Sequence, residues 1–242
     1  MRTVHCCDAL AWLSEQQDLP CVVTSLPDVS ELSLSNVTDL AGYDEWVTTT
    51  TATIVGKLRP GCVAVFYQTD TAYEGRYVSK ASMVCRGAAL AKGDQLWHKI
   101  CLRAAVGRSR SAKMPTFSHL LAFSGPRGGV TARAERCSIP DVFDRGDMVW
   151  ARATGFVAAQ KVCQWLQHEL LVSSILDPFC GSGTILAAAN HTGLAAIGVE
   201  INAKRARHAL VMQVCRDAEG SLMARRSTDA GFAEDAQEDE ET

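Results

Sequence analysis

The feature that most constrains the fold is a glycine turn between a short apolar strand and an alanine-rich helix, within residues 174–190. The segment reads Ser-Ile-Leu-Asp-Pro-Phe-Cys-Gly-Ser-Gly-Thr-Ile-Leu-Ala-Ala-Ala-Asn. Gly181 and Gly183 let the backbone approach a ligand, and the helix start presents unpaired N–H groups to it. Glu200 ends the next apolar strand, where acids of nucleotide-binding α/β units bind ribose hydroxyls. The segment therefore predicts a site for a nucleotide-like cofactor.

Around this turn, short apolar runs alternate with helical patterns, which predicts an α/β fold with helices on both faces of a mostly parallel sheet. Strands are predicted over 2–6, 21–25, 62–67, 97–104, 116–123, 174–177 and 195–199. Helices are predicted over 8–17, 43–58, 79–91, 156–171, 183–192 and 203–216. Four successive threonines weaken the second helix, because β-branched residues lower helix propensity. The fourth and fifth strands leave no room for a crossover helix, so we expect them to pair antiparallel and to make the sheet mixed.

The composition is that of a soluble globular protein: the 242 residues are 47% hydrophobic and 21% charged. The sequence has neither an apolar run long enough to span a membrane nor a signal-peptide core at its start, so we expect an intracellular protein, nuclear or cytoplasmic, without membrane contact. Its ten cysteines form no Cys-x-x-Cys pair and lie mostly in apolar runs. We therefore expect reduced thiols and no bound metal.

Charge divides the chain unevenly. Residues 217–242 contain nine acidic and two basic residues, a net charge of −7, so the preceding residues carry +4 within the total of −3. This small, polar segment is predicted to be an acidic disordered tail. Residues 80–136 contain eleven basic and two acidic residues. Lys and Arg side chains bind phosphates, and an aromatic ring such as that of Trp97 can stack on a base. Nucleic-acid contacts are therefore predicted for Trp97, Lys99, Arg103, Arg108, Arg110 and Lys113. A solvated basic rim, with Trp97 in the core, is the alternative.

The turn Asp-Pro-Phe-Cys-Gly-Ser-Gly-Thr resembles the first motif of S-adenosylmethionine-dependent methyltransferases that act on nucleobase nitrogens. It lacks the third glycine of a dinucleotide fingerprint and the Lys-Ser/Thr step of a P-loop. The resemblance extends over most of residues 1–215. A catalytic motif precedes the cofactor motif, as in the permuted β class of DNA amino-methyltransferases. The resemblance implies a Rossmann-like methyltransferase fold over residues 1–216, with 80–148 as a basic target-facing region, and S-adenosylmethionine as cofactor.

The resemblance also implies which residues hold that cofactor. Residues of the glycine turn would hold the methionine end of the cofactor through side chains and backbone. Glu200 would bind the ribose, and Asp8, which follows Cys7, would bind the adenine. Asn202 is a weaker candidate near the adenine. The implied set is Asp8, Asp177, Phe179, Gly181, Ser182, Gly183, Thr184, Glu200 and Asn202.

Ser25-Leu26-Pro27-Asp28 occupies the place of the family's catalytic tetrapeptide, Asp/Asn/Ser-Pro-Pro-aromatic. A serine in first position occurs among cytosine-N4 enzymes. Asp28 replaces the aromatic residue that would stack on the target base. By the resemblance, Ser25 and the Leu26/Pro27 backbone orient the base while Asp28 accepts a hydrogen bond or a proton, which suits a ring nitrogen such as N3 of uridine. Alternatively, Asp28 caps a turn with Ser30 or starts the next helix with Glu31.

The acceptor polymer is inferred from the length of the recognition segment. Only residues 124–148 are available for target recognition, which favours an unpaired or structured RNA nucleotide over duplex DNA. The leading expectation is methyl transfer to a nucleobase nitrogen in RNA. The alternatives are DNA amino-methylation at cytosine N4 or adenine N6, and a non-catalytic cofactor- and RNA-binding subunit that acts with a protein partner. In each case the loops after 21–25 and 174–177 are expected to meet at the carboxyl edge of the sheet.

Overall fold

The computed structural model describes residues 1–32, 37, 39–108, 115–129, 137–148, 153–216 and 222–226. The described helices are α1 (Ala9–Glu15), α2 (Leu40–Gly56), α3 (Lys80–Leu90), α4 (Phe156–His168), α5 (Thr184–His191) and α6 (Ala203–Val211). The described strands are β1 (Arg2–Cys6), β2 (Cys21–Thr24), β3 (Val63–Gln68), β4 (Thr71–Tyr73), β5 (Arg76–Val78), β6 (Gln95–Leu102), β7 (Phe117–Ser124), β8 (Val142–Asp144), β9 (Ser174–Asp177), β10 (Ala195–Glu200), β11 (Met212–Arg216) and β12 (Leu222–Arg226).

Among these strands, eight form one sheet in the order β1-β10-β9-β2-β3-β7-β6-β8. The first five run parallel, while β7 runs antiparallel to both β3 and β6. The predicted mixed, mostly parallel sheet is confirmed, as is the antiparallel pairing of β6 with β7. Strand β8 lies within residues 124–148, the segment that we expected to serve target recognition, and adds a parallel edge strand beside β6. The architecture is a Rossmann-like α/β fold.

Both faces of the sheet are buried, so the central strands are apolar throughout. In β3, Val63, Val65 and Tyr67 face one core cluster with α4 and α5, whereas Ala64 and Phe66 face the other with α2 and α3. Successive side chains of a strand point to opposite faces, and parallel strands covered on both sides read as continuous hydrophobic runs. Helices therefore cover both faces of the sheet, as predicted.

Helix α2 forms despite its threonine run. Asp39 caps its first turn by accepting a hydrogen bond from the N–H of Gly42, and the Thr49 and Thr53 hydroxyls donate to carbonyls four residues earlier. Gly87 of α3 lies so close to α2 that a Cβ there would clash with the Thr48 carbonyl. Tertiary packing, which routinely outweighs intrinsic propensity, holds this helix against its neighbour.

The C-terminal part of the chain corrects two predictions. The helix predicted over 203–216 ends at Val211, and the residues after it form β11, which pairs antiparallel with β12. Strand β12 lies inside the segment predicted to be disordered, so that prediction is wrong for residues 222–226. Met212 and Ala224 are buried in the core cluster beneath α4 and α5, and this burial favours a strand pair over a longer helix. Residues 217–221 and 227–242 lie outside the described part of the chain.

No helix within the described ranges is both long enough and apolar enough to cross a membrane.

Candidate active site

The glycine turn is anchored to the neighbouring strand by a buried carboxylate. Asp177 ends β9 with 1% of its surface exposed. One of its oxygens accepts hydrogen bonds from the Thr24 hydroxyl at 2.7 Å and from the Phe179 N–H at 3.1 Å. Since Thr24 ends β2, these bonds join the two loops that follow β2 and β9. The predicted meeting of both loops at one edge of the sheet is confirmed.

Burial raises the pKa of Asp177 to about 7, because removing a carboxylate from water disfavours its charged form more than its hydrogen bonds favour it. The folded state therefore binds this proton more tightly than the unfolded chain. The resulting contribution to stability is present below about pH 4 and is lost as the pH rises to about 7.

Asp177→Asn should remove this pH dependence, because the amide oxygen can accept the same two hydrogen bonds without charge. We expect the variant to gain unfolding free energy relative to the wild type as the pH rises from 4.5 to 8, by at most about 4 kcal/mol. Urea unfolding at several pH values measures the difference, with the surface variant Asp44→Asn as control. Equal pH slopes for the wild type and Asp177→Asn would contradict the assignment.

The two glycines of the turn meet different requirements. Gly181 has φ +52, and a Cβ built there would meet no described atom within 4 Å, so the space above it is open. Gly183 has φ +91, and a Cβ there would lie 2.7 Å from the Cα of Ala209 in α6. Gly181 therefore keeps the turn open toward a ligand, while Gly183 lets α5 and α6 pack closely.

A cavity opens above this turn, and we call it the cofactor cavity. Seven of the nine predicted cofactor residues line it within the described structure: Asp8, Asp177, Phe179, Gly181, Ser182, Thr184 and Glu200. Gly183 packs behind the turn. Asn202 caps α6 by accepting hydrogen bonds from the N–H groups of Lys204 and Arg205. Gly183 and Asn202 are therefore not among the described residues that line the cavity, and their contact with the cofactor stays a prediction.

The two acids at or just beyond the ends of the neighbouring strands β10 and β1 line the cofactor cavity and are held by local hydrogen bonds. Glu200 ends β10 with one oxygen accepting from the Asn202 N–H at 2.8 Å. Asp8 precedes α1 and accepts from the Ala11 N–H at 2.8 Å. Since each carboxylate has several acceptor positions, both retain capacity for a ligand in the cavity.

Trp46 is a cavity residue that the sequence reasoning missed. It extends from α2 and packs edge-on against Phe179, with ring centroids 5.6 Å apart. No motif marks it, because its spacing within the helix is that of an ordinary core residue. Trp46 and Phe179 give the cavity an aromatic wall.

The tetrapeptide loop (residues 25–28) forms a wall shared by two cavities. Ser25 and Leu26 line the cofactor cavity and a second cavity beside it, whereas Pro27 lines only the first in the described structure and Asp28 only the second. Side chains from two helices hold the loop. The Tyr43 hydroxyl donates to the Pro27 carbonyl at 2.9 Å, while the Lys80 ammonium donates to the Leu26 carbonyl at 3.0 Å and to the Asp28 carboxylate at 2.6 Å.

The alternative interpretation of Asp28 as a turn residue is correct in part. A single 3₁₀ turn, Val29–Glu31, follows Asp28, and the Asp28 N–H donates to the Glu31 carboxylate at 2.9 Å. The Asp28 carboxylate nevertheless lines the second cavity, with 40% of its side chain exposed. The backbone of Asp28 stabilises the turn while its side chain faces the space beside the cofactor cavity.

The second cavity is lined by groups at or just beyond the ends of sheet strands, including Tyr67, Asp70, Arg103 and Arg145. Burial alone would raise the pKa of Asp70, but hydrogen bonds from His119, from the Tyr77 hydroxyl and from a backbone N–H outweigh it and lower the pKa to about 2. Asp70 is therefore a permanent anion that anchors the start of α3. Arginines in the same cavity suit an anionic or oxygen-rich ligand.

The nucleic-acid residues predicted on β6 require correction. Trp97 is 8% exposed and packs edge-to-face on Trp165 in the core, and Lys99 is 9% exposed and paired with Asp141 at 2.6 Å. The alternation of β6 turns both side chains toward α4, so the predicted contacts are wrong for these two residues. Arg103 lines the second cavity and Arg108 is exposed beyond the strand. Arg110 and Lys113 lie outside the described residues.

The glycine turn lies within the part of the chain that matches a known protein family. Residues 172–211 match the model of a family described as DNA methylase. No curated protein sequence gives a significant match.

Solved structures show the same fold. An inferred DNA modification methylase from Thermus thermophilus, complexed with S-adenosyl-L-methionine, superposes with a TM-score of 0.64 at 20% identity, covering 86% of this chain and 91% of that chain. The cytosine-N4-specific PvuII DNA methyltransferase gives 0.64 at 13% identity, covering 86% and 85%. The M1.HpyAVI complex with S-adenosylmethionine gives 0.58 at 13%, covering 87% and 98%. The predicted resemblance to nucleobase N-methyltransferases is confirmed in the fold and, over residues 172–211, in the sequence.

Proposed function

We propose that the protein transfers a methyl group from S-adenosylmethionine to a nucleobase nitrogen, and that the nucleobase belongs to DNA. The observation that carries this proposal is the position of the tetrapeptide loop. It separates the cofactor cavity from the second cavity, so groups on one loop face both reactants. Methyl transfer by in-line displacement requires such an arrangement, because the nucleophile must lie opposite the leaving group.

The residues of the cofactor cavity fit S-adenosylmethionine. The open space at Gly181 leaves room for the methionine end, and the Glu200 carboxylate at the end of β10 suits the ribose hydroxyls. Asp8 would accept from the adenine amino group, and Phe179 and Trp46 would pack against the ligand. When bound, this cofactor supplies a methyl group on a sulfonium, so that the new N–C bond replaces a C–S bond.

The second cavity would hold the target base after extrusion from its strand. The Ser25 hydroxyl and the loop carbonyls can accept hydrogen bonds from the amino group, which draws the nitrogen lone pair out of conjugation with the ring. Asp28 can take the proton that the nitrogen loses as it is methylated. The Tyr43 and Glu31 contacts keep this loop in place, so the acceptors are preorganised.

Two observations support DNA as the acceptor. The matched family model is that of a DNA methylase, and the PvuII enzyme, which is named as cytosine-N4-specific, shares the fold. The RNA preference inferred from the short segment 124–148 has no support among the comparisons. Uridine N3 in RNA stays a second candidate, because Asp28 stands where an aromatic residue would stack and a carboxylate suits an acidic ring N–H.

The proposal is tested by incubating the protein with isotope-labelled S-adenosylmethionine and matched unmodified DNA and RNA pools, followed by nucleoside mass spectrometry. We expect labelled N4-methylcytosine or N6-methyladenine from DNA. As a control, Glu200→Gln should weaken cofactor binding by about tenfold or more, since it removes a charge-assisted hydrogen bond. Labelled 3-methyluridine from RNA would replace the DNA assignment. Intact cofactor binding without label in either pool would overturn the enzyme proposal in favour of a non-catalytic subunit that needs a protein partner.

A further inference from the structure

The second cavity contains a buried ammonium group with no role in the steps above. Lys80 is 3% exposed, and its Nζ lies 3.0 Å from the Leu26 carbonyl oxygen and 2.6 Å from Asp28 Oδ1. Burying an ammonium group is costly, and its ionic partners seldom repay the whole cost. A methionine of similar length would fill the same space. Stability therefore does not explain why a charged side chain is buried at this position.

The local structure of α3 does not account for this lysine. Lys80 is the first residue of the helix, where the positive end of the helix dipole disfavours a cation. The helix start is already capped: the Ser79 hydroxyl accepts from the Ser82 N–H, and Asp70 accepts from the Ala81 N–H at 3.1 Å. These contacts fix the backbone on both sides of Lys80. Its side chain is thus held rigidly toward the tetrapeptide loop, against the electrostatic preference of its own helix.

The hydrogen-bond capacity of the ammonium group leaves one donor for a ligand. An ammonium group has three N–H donors, and within the described residues two of them have partners, both on the tetrapeptide loop. Lys80 also lines the second cavity. A hydrogen-bond donor of Lys80 and an acceptor of Asp28 thus lie side by side in the wall of the second cavity.

We propose that Lys80 is a positioning and specificity-determining residue for methyl transfer, an inference that rests on the proposed function. Its ammonium group holds the Leu26 carbonyl and the Asp28 carboxylate in place. Its third N–H donates to the ring nitrogen beside the amino group that is methylated, which is N3 of cytosine or N1 of adenine. The donor of Lys80 and the acceptor of Asp28 then match the adjacent acceptor and donor on the edge of an amino base.

The test compares Lys80→Met with the wild type, using oligonucleotides that carry cytosine, 3-deazacytosine, adenine or 1-deazaadenine. We expect Lys80→Met to bind S-adenosylmethionine within about twofold of the wild type and to lose about 100-fold or more in kcat, the loss typical of a misplaced reacting group. In the wild type, replacing the ring nitrogen by CH should also lower kcat/KM strongly. In Lys80→Met the same replacement should change kcat/KM by less than about threefold, because the donor that reads this atom is gone.

Two further variants make the result specific to this position. Lys161→Met, on α4 beside Phe143 and away from both cavities, should retain wild-type kinetics and wild-type discrimination. Lys80→Gln keeps a hydrogen-bond donor without the charge, so it should recover part of kcat; it also serves as the test variant where Lys80→Met does not fold.

The outcomes separate the two proposals. A wild-type protein that methylates none of the four oligonucleotides or the nucleic-acid pools contradicts the proposed function itself. A wild-type protein that is active, with Lys80→Met equally active, overturns the role of Lys80 alone. If the wild type methylated the deaza bases as fast as the natural bases while Lys80→Gln was inactive, the contact of Lys80 with the ring nitrogen would be overturned.

Discussion

Replacing Gly183 with alanine is expected to destabilise the fold by about 2–4 kcal/mol and to remove measurable S-adenosylmethionine binding. Two costs combine at this position. A non-glycine residue at φ +91 is strained by about 1 kcal/mol or more, and a Cβ 2.7 Å from the Cα of Ala209 forces α5 and α6 apart, which adds about 1–3 kcal/mol. Because α5 starts at the glycine turn, its displacement also distorts the cofactor cavity.

Urea unfolding and calorimetric cofactor titration measure the two effects of Gly183→Ala. The matched control is Gly75→Ala at the turn between β4 and β5, where φ is +77 and an added Cβ would meet no described atom within 4 Å. It shares the backbone strain without the clash, so it should cost about 1 kcal/mol and leave cofactor binding intact. Similar losses in both variants would show that backbone strain alone explains the glycine at position 183.

Replacing Asp28 with asparagine should lower methyl transfer by about 10²–10⁴-fold, the range for loss of a general base, while S-adenosylmethionine binding persists. Asparagine keeps the shape and can still accept from Lys80, but it cannot take up a proton. Single-turnover transfer measured with excess protein isolates the chemical step from product release.

Asp44→Asn is the matched control for Asp28→Asn, because Asp44 is also a half-exposed carboxylate paired with a cation, here Arg86 on the surface of α2 and α3. It should transfer at the wild-type rate. A normal rate in Asp28→Asn would return Asp28 to its role in the turn before Val29–Glu31. Loss of cofactor binding in Asp28→Asn would instead indicate that the two cavities are not independent.

The part of the site that the sequence predicted is encoded in contiguous residues. Asp177, Gly181 and Thr184 lie on one strand–turn–helix unit, and Glu200 ends the next strand, so strand direction alone brings them to one edge. The same logic places Ser25 after β2. Short contiguous segments and the direction of the strands are therefore enough to predict the cofactor motif, the tetrapeptide loop and their meeting at one edge of the sheet.

The rest of the site depends on how helices pack across the sheet, which no short pattern records. Trp46 reaches the cofactor cavity because the close contact at Gly87 sets the position of α2, and Lys80 reaches the loop because Asp70 anchors the start of α3. Trp97 illustrates the opposite error. Its place in a basic stretch suggested a surface residue, but the alternation of β6 decides which face it occupies. The predicted helix ends early, at Val211, because Met212 is buried in the core and the chain continues as strand β11.

The position of β1 has a consequence for the order in which the chain can fold. Within the described sheet, β1 is an edge strand that pairs with β10, and the Arg2 guanidinium donates to the carbonyls of Ala209 and Met212 at 2.6 and 2.7 Å. During synthesis β1 thus emerges well before its partners, since the two carbonyls that Arg2 contacts lie 207 and 210 residues further along the chain. Contacts of such long sequence separation form slowly, and β1 stays exposed until its partners have been synthesised. Asp8, which follows β1 and lines the cofactor cavity, takes its place only after β10 and the residues up to Met212 have been made, so a nascent chain that ends before them lacks the β1 side of this cavity.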